Sequence, residues 1–361
     1  MQGRQGSSSD QVVIDVNVEE TTTGSLGFGI SFSRAENFGG AVSFSETNFL
    51  GRGQSLTAVF NTTSDSRQFE IDFVEPRVQD RELSAGILLL YRETDIRDFA
   101  NFASRQVRIS PSVGFPVGEF SRVNLRYSIE SSDIRDVRPE ASRLIAADEG
   151  REVTSLVGVR YTYDTRRSEL SPDFGVLVRL DQEIAGLGGD RRFLRSTALA
   201  SVERRVLRGD VTVRGELEGG AIHMLSGRSR ITERFDLSNR MRGFRPGGVG
   251  PRDVDSLGND ALGGDYFAVA RAEADFPLGL PESLGVAGGV FVDVGSSWGV
   301  TCPSNVDCTG VRDSVSWRAV AGVSLFWETP IGPLRFNLSR PLRLEDFDER
   351  QNFDVTIQSR F

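Results

Sequence analysis

The sequence predicts an all-β chain, a 16-stranded antiparallel transmembrane β-barrel with one long loop folded into its lumen. Three observations point there. Apolar and polar residues alternate with period two in segment after segment from Gly24 to the C-terminus. The polar faces of those segments are dense in Arg and Asp/Glu, which a water-filled lumen solvates while opposite charges pair across it. The connections take turns between short and long, which is the pattern of outer-membrane barrels.

Composition removes other classes. The chain has 361 residues and a net charge of −9, which speaks against nucleic acid as a partner. Its basic residues are all Arg apart from His223. No apolar run approaches the roughly 18 residues of a transmembrane helix, so a helical membrane protein is excluded. A mean hydropathy of −0.25 gives no hint of a membrane. A barrel stays open all the same, because its strands bury only alternate residues. The N-terminus has no charged segment followed by an apolar one, so a signal peptide is not expected within this stretch. An exported barrel needs one, and the chain is expected to be a mature piece of a longer precursor.

Cys302 and Cys308 lie in the short run CPSNVDC. An oxidised bridge closing a surface loop fits an exported protein. No metal is expected, since no second pair matches and His223 is far away in sequence.

Taken in order, residues 1–10 are Gly/Gln/Ser-rich and are expected to be a disordered lead-in. VVIDVNVEE, at 12–20, alternates cleanly as one strand, too isolated to be a domain. The barrel is expected over 24–361. Its clearest strands are strict. In 122–130, Val123, Leu125, Tyr127 and Ile129 oppose Arg122, Asn124, Arg126, Ser128 and Glu130. In 157–164, Val157, Val159, Tyr161 and Tyr163 oppose Gly158, Arg160, Thr162 and Asp164. In 211–218, Val211, Val213 and Leu217 oppose Thr212, Arg214, Glu216 and Glu218. In 352–361, Phe353, Val355, Ile357 and Phe361 oppose Asp354, Thr356, Gln358 and Arg360. Weaker alternation covers 24–33, 40–47, 54–63, 68–74, 83–91, 106–115, 176–184, 195–205, 266–276, 286–294, 316–328 and 334–339, which brings the candidate strands to sixteen.

A soluble sandwich alternates too. The charge density of the polar faces and the connection lengths favour the membrane barrel. Short turns are expected at Leu50–Gly53, Pro116–Gly118 and Thr329–Gly332, and long polar loops at 133–151, 226–263 and 299–313. Phe361 ends the chain on the apolar face of its last strand, where aromatics suit the membrane interface. An even strand number closes the barrel with both termini on the short-turn side. Closure is compulsory in lipid, where an open edge leaves backbone groups unpaired.

The longest gap between strands holds Met241-Arg242-Gly243-Phe244-Arg245-Pro246-Gly247-Gly248. A loop this long in a compact domain is usually functional or disordered. A central Arg, an aromatic and a Gly/Pro run build and anchor a turn, so the loop is expected to fold into the lumen through Arg242. Parity puts Arg271, Glu273 and Asp275 on the inner face of the following strand, because Ala272, Ala274 and Phe276 take the lipid face. Parity also turns Asp293 inward between Val292 and Val294. A guanidinium fork suits such a carboxylate pair. Gly243 permits a tight backbone, and Phe244 can pack on the inner wall. The residues alone leave open whether Glu273 and Asp293 pair with Arg242 or with Arg271 or Arg318.

These segments resemble the BamA family of outer-membrane β-barrel assembly proteins, over 24–361. Met241–Phe244 looks like that family's (V/I)RGF motif on the long sixth extracellular loop, with Met in place of the usual β-branched residue. Gly263-Gly264 with Glu273, and Phe291-Val292-Asp293-Val294-Gly295, match its downstream segments. Asn48–Gly53 and Asp72–Pro76 resemble its first two periplasmic turns, and Trp327–Leu334 its late hairpin. The terminal segment 352–361 is similar to a β-signal, without the glycine often found there. VVIDVNVEE resembles the last strand of the family's final POTRA domain, making 11–23 a remnant of that domain with its linker.

The resemblance implies that Arg242, Gly243 and Phe244 form a latch held by the lumen acids Glu273 and Asp293. It implies an outer-membrane location in a Gram-negative cell, with periplasmic termini. The implied function is folding and insertion of β-barrel clients through a lateral gate. One side of the gate would be Gly24, Leu26, Gly27, Phe28 and Gly29, glycine-rich and so weakly paired. The other would be Phe353, Val355, Ile357 and Phe361. Opened edges would pair with an incoming strand. The implied partners are the lipid bilayer, unfolded barrel clients and assembly-complex lipoproteins, the last reached through a POTRA region expected outside this stretch. No nucleophile–base set, phosphate loop or metal cluster is visible, so neither enzyme activity nor a cofactor is expected. A related translocation or autotransporter-assembly barrel and a passive porin are the alternatives.

Overall fold

The computed structural model describes residues 2–5, 12–15, 21–33, 37–95, 101–166, 173–329 and 332–357. Sixteen strands form one antiparallel sheet in sequence order. They are β1 (Gly24–Ser33), β2 (Asn37–Phe49), β3 (Gln54–Thr62), β4 (Ser66–Glu75), β5 (Ser84–Asp95), β6 (Ala103–Gly118), β7 (Ser121–Arg135) and β8 (Gly150–Asp164). The sheet continues through β9 (Phe174–Gly189), β10 (Arg192–Val206), β11 (Val211–Ser226), β12 (Tyr266–Pro277), β13 (Val286–Trp298), β14 (Arg318–Thr329), β15 (Gly332–Arg343) and β16 (Phe353–Ile357). Each coincides with one of the sixteen expected segments. The end strands β1 and β16 come within 8 Å of each other, Cα to Cα, so the sheet curls into a barrel. Among the described residues no hydrogen-bonded ladder joins those two strands. No helix among the described residues is long and apolar enough to cross a membrane.

The period-two pattern dictates the wall. On β7, Leu125, Tyr127 and Ile129 point outward and are 42, 38 and 47 % exposed, while the intervening Ser128 is buried. Its lumen-facing neighbours pair in charge: Arg126 reaches Asp181 at 3.1 Å and Glu183 at 2.6 Å on β9. Where an inward carboxylate meets an inward guanidinium in this way, that part of the polar face need not be fully hydrated.

Several boundaries differ from expectation. Strands β6 to β11 run to 15 or 16 residues, because backbone pairing continues past the apolar band that marks them in the sequence. The loop expected at 133–151 shrinks accordingly and carries a short helix, Arg143–Ala146, whose first turn is capped by Ser142. Pro116–Gly118, expected as a turn, lies inside β6, and the turn falls on Glu119 and Phe120. Gln2–Gln5, expected in a disordered lead-in, forms a strand paired with Val12–Asp15; two short segments satisfy each other's backbone groups where one alone could not. Residues 6–11 and 16–20 of that region, Pro330, Ile331 and the terminal Phe361 lie outside the described residues.

The lumen is not uniformly polar. Leu237, Met241, Phe244 and Val249 of the sixth long loop bury against Phe193, Ile222, Phe267, Val269, Phe291 and Val320 on the inner wall. A second apolar cluster sits at the long-loop end, where Phe102, Ile134, Leu144, Ile145 and Leu262 pack together with Val306, Cys308 and Val311. A small three-stranded sheet, Arg252–Asp253 with Asp260–Ala261 and Val311–Arg312, ties the sixth and seventh long loops into this dome.

Candidate functional site

The sixth long loop leaves β11 after Ser226 and descends along the inner wall to the Arg242 segment. The Arg242 guanidinium meets Asp293 as a fork: Nε donates to Oδ2 at 2.8 Å and Nη2 to Oδ1 at 2.6 Å. The Arg242 backbone N–H donates to the same carboxylate at 3.1 Å. The remaining terminal nitrogen, Nη1, donates to Glu273 Oε2 at 2.5 Å. The guanidinium lies 3.5 Å over the centre of the Phe291 ring. Asp293 is fully buried and Arg242 is only 18 % exposed, so each charge depends on the other. Breaking such a buried pair by removing one partner costs about 3–5 kcal/mol.

Small residues make this approach possible. Gly243 has φ +88°, and a Cβ there would stand 2.8 Å from Val320 Cγ1. Met241 packs where Gly295 has no side chain, and the Phe291 ring lies where Gly322 has none. The apolar residue before Arg242 and the glycine two residues after Asp293 are therefore a matched pair.

Arg271 and Arg318, the other partners considered for the two acids, are engaged elsewhere. Arg271 pairs with Glu216 and, at 2.6 Å, with Glu218. Arg318 pairs with Asp348 at 3.0 Å. Glu273 instead collects three guanidinium groups, those of Arg242, Arg335 and, at 3.3 Å, Arg214. A cavity of about 560 Å³ opens beneath the clamp, bordered by Arg214, Arg271, Arg335 and Asp354.

Three features escaped the sequence. Arg240 is a second anchor: its Nε donates to Glu218 at 3.1 Å and its guanidinium stacks 4.4 Å over the Phe267 ring. Arg335 shares Glu273 with Arg242, and the alternation of Leu334, Phe336 and Leu338 could have placed it inward. The third feature has no local signal. The clamp segment pairs its backbone with residues 349–351, just before β16: Arg245 N–H donates to the Glu349 carbonyl at 3.1 Å, Glu349 N–H to Gly248 at 2.8 Å, and Gln351 N–H to Gly243 at 3.0 Å.

The expected gate residues flank the unladdered seam. Leu26 and Phe28 on β1 are 60 and 72 % exposed, and Phe353 on β16 is 52 % exposed. Gly24, Gly27 and Gly29 lie on the same first strand, Val355 and Ile357 on the last. Cys302 and Cys308 are joined in a disulfide within the seventh long loop.

Known proteins share this architecture. Residues 48–361 match the Omp85 superfamily domain. The outer membrane protein assembly factor BamA of Neorickettsia risticii is 30 % identical over 332 residues, which is 92 % of this chain and 44 % of that protein. BamA of Nitratidesulfovibrio vulgaris is 30 % identical over 341 residues, 92 % of this chain and 41 % of that protein. The chain thus spans less than half the length of these curated relatives. The crystal structure of BamA from Haemophilus ducreyi lacking POTRA domains 1–3 superposes with a TM-score of 0.74 at 20 % identity, covering 93 % of this chain and 70 % of that one. The match over nearly the whole barrel shows that the chain belongs to the Omp85 superfamily.

Proposed function

We propose that this chain is the membrane barrel of an outer-membrane protein assembly factor, which folds and inserts β-barrel clients through a lateral gate between β1 and β16. The names of its curated relatives support the reading. The observation that carries it is the seam: neighbouring strands pair throughout the sheet, while β1 and β16 approach without a ladder among the described residues. Edge backbone groups there can pair with an incoming strand. Backbone pairing and transfer of apolar side chains into lipid supply the driving force, with no nucleotide and no enzymatic step.

In this reading Arg242, Gly243 and Phe244 are a structural latch held by Glu273 and Asp293. Residues 11–23 are the remnant of a final POTRA domain and its linker. Both ends of the barrel chain lie on the periplasmic side, and assembly-complex lipoproteins dock through POTRA domains. The dome over the long-loop end argues against a passive porin, whose lumen must stay open at both ends.

Cysteines placed pairwise along Gly24–Ser33 and Phe353–Ile357 in the full-length protein test the gate. Oxidation that joins the seam should block assembly of other barrels, and reduction should restore it. Unimpaired assembly with the seam locked would falsify the reading.

A further inference from the structure

A row of alternating charge crosses the outer surface of five adjacent strands at the long-loop end. Arg67 on β4 stands directly opposite Glu93 on β5, Glu93 opposite Arg105 on β6, Arg105 opposite Asp133 on β7, and Asp133 opposite Arg151 on β8. Parity places this row on the face away from the lumen. The next outward row toward the short-turn end is Phe69, Tyr91, Val107, Ser131 and Val153, and the one beyond it is Ile71, Leu89, Ile109, Ile129 and Ser155. Phe69, Leu89, Tyr91, Val107, Ile109 and Ile129 are all exposed on that surface. Rows on one face lie about 7 Å apart along a strand. The charges therefore begin one row above the apolar band, at headgroup depth.

Cross-strand attraction explains part of the row, since opposed opposite charges stabilise a sheet. It does not use all of the row's charge. Glu93 takes Arg105 at 3.7 Å and also Arg135. Arg151 turns its Nε to Ser131 Oγ at 2.8 Å and away from Asp133. Among the described residues, neither Arg67 nor Arg151 makes an ion pair, and both are exposed. The row holds three guanidinium groups against two carboxylates on a chain whose net charge is −9. A planar guanidinium with unused N–H donors at that depth matches phosphate oxygens.

We infer that this surface of β4 to β8 is a binding site for anionic phospholipid headgroups of the leaflet at the long-loop end, those whose phosphate charge no headgroup ammonium cancels, with Arg67 and Arg151 as the contacting residues. It holds lipid beside the barrel wall and fixes the depth of that wall in the bilayer. The inference concerns lipid alone and does not depend on the gate.

The test is lipid retention. The chain is refolded into nanodiscs of phosphatidylglycerol and phosphatidylcholine in equal amounts, released in the mass spectrometer, and the lipids still bound are counted. The unaltered protein should retain phosphatidylglycerol preferentially. The double variant Arg67→Gln/Arg151→Gln should lose about three- to tenfold of that preference, the effect of one or two charge-assisted hydrogen bonds. A control removes two lumen-facing guanidinium groups, Arg122→Gln/Arg160→Gln, and should keep it; Arg160 is held by Asp181 inside the barrel. Heat-modifiable migration checks that each variant has folded. No preference in the unaltered protein, or equal losses in the two double variants, overturns the inference.

Discussion

Asn337 on β15 donates from Nδ2 to the Asp354 carboxylate on β16 at 2.8 Å, straight across the rung that pairs these two residues. The same Asn337 accepts from Arg335 Nε at 3.0 Å, and Arg335 also grips Glu273, the acid that Arg242 reaches. A hydrogen-bonded path thus runs along the inner wall from the clamp to the last strand. The backbone pairing of residues 349–351 with the clamp segment is a second route to the same strand. We predict that Asp354→Ala speeds amide exchange in Phe353–Ile357. Combined with Arg242→Ala, the effects should be less than additive, because both changes cut one network. The swapped pair Asn337→Asp/Asp354→Asn should restore protection. Strictly additive exchange rates would separate the clamp from the last strand.

Arg242→Lys is expected to behave almost like Arg242→Ala. Three of the four hydrogen bonds at this residue come from guanidinium nitrogens in fixed planar geometry. An ammonium can satisfy neither the fork to Asp293 nor the stack on Phe291 while also reaching Glu273. Each variant should lose about 3–5 kcal/mol, read as a lower temperature for loss of heat-modifiable migration. Charge reversal should not rescue: Arg242→Glu with Glu273→Arg sets the new arginine among Arg335 and Arg214. A lysine variant as stable as the parent would contradict the fork.

Gly243→Ala combines two separable costs. Its φ of +88° disfavours any side chain, and the added Cβ would meet Val320 Cγ1 at 2.8 Å and Ser339 Cβ at 3.3 Å. The variant should lose about 1–3 kcal/mol. Val320→Ala in the same chain should recover only the steric share, and leave the backbone share of about 1 kcal/mol. Full recovery would mean that the conformation at Gly243 carries no strain for alanine.

The barrel was legible because each wall strand repeats one rule. Every second side chain meets lipid, so the sixteen segments announce themselves independently, and parity alone turns Glu273 and Asp293 inward. The pairing of those acids was less legible. Arg271 lies two residues from Glu273, and the register that sets it directly opposite Glu216 on β11, with Glu218 next on the same face, cannot be read across the long loop that joins the two strands. The apolar plug was hidden for a related reason. Phe267, Val269, Phe291 and Val320 sit at lumen positions where the rule expects polar residues, and they are apolar because the loop covers them. The dome and the pairing of residues 349–351 with the clamp join segments far apart in sequence, with no periodicity to betray them. Gln2–Gln5 shows the converse limit, since composition suggests disorder where a partner strand supplies the order.

Acid should favour the dome. Asp260 is fully buried in the sixth long loop; its Oδ1 accepts from Asn101 Nδ2 at 2.6 Å and its Oδ2 from the Ser142 backbone N–H at 2.7 Å. Burial pushes its carboxyl above the ordinary value of 3.8; the neighbouring Asp253 adds to this, while the hydrogen bonds from Ser142, Asn101 and Ser256 offset part of it. A carboxyl raised in the folded state contributes stability that is fully present below the unfolded value and fades as pH rises through the raised one. The dome should therefore loosen with increasing pH above the ordinary carboxylate range. The loss should show first at the Ser142 amide and along Arg143–Ala146, which Ser142 caps. Amide exchange of this segment from about pH 4 to pH 7, corrected for the intrinsic pH dependence of exchange, measures it. Asp260→Asn cannot ionise. It should protect the segment less at low pH, by about 1–3 kcal/mol, because its NH2 group faces a donor. Its protection should then stay flat with pH. Equal slopes in the parent and the asparagine variant would show that Asp260 does not carry the pH dependence.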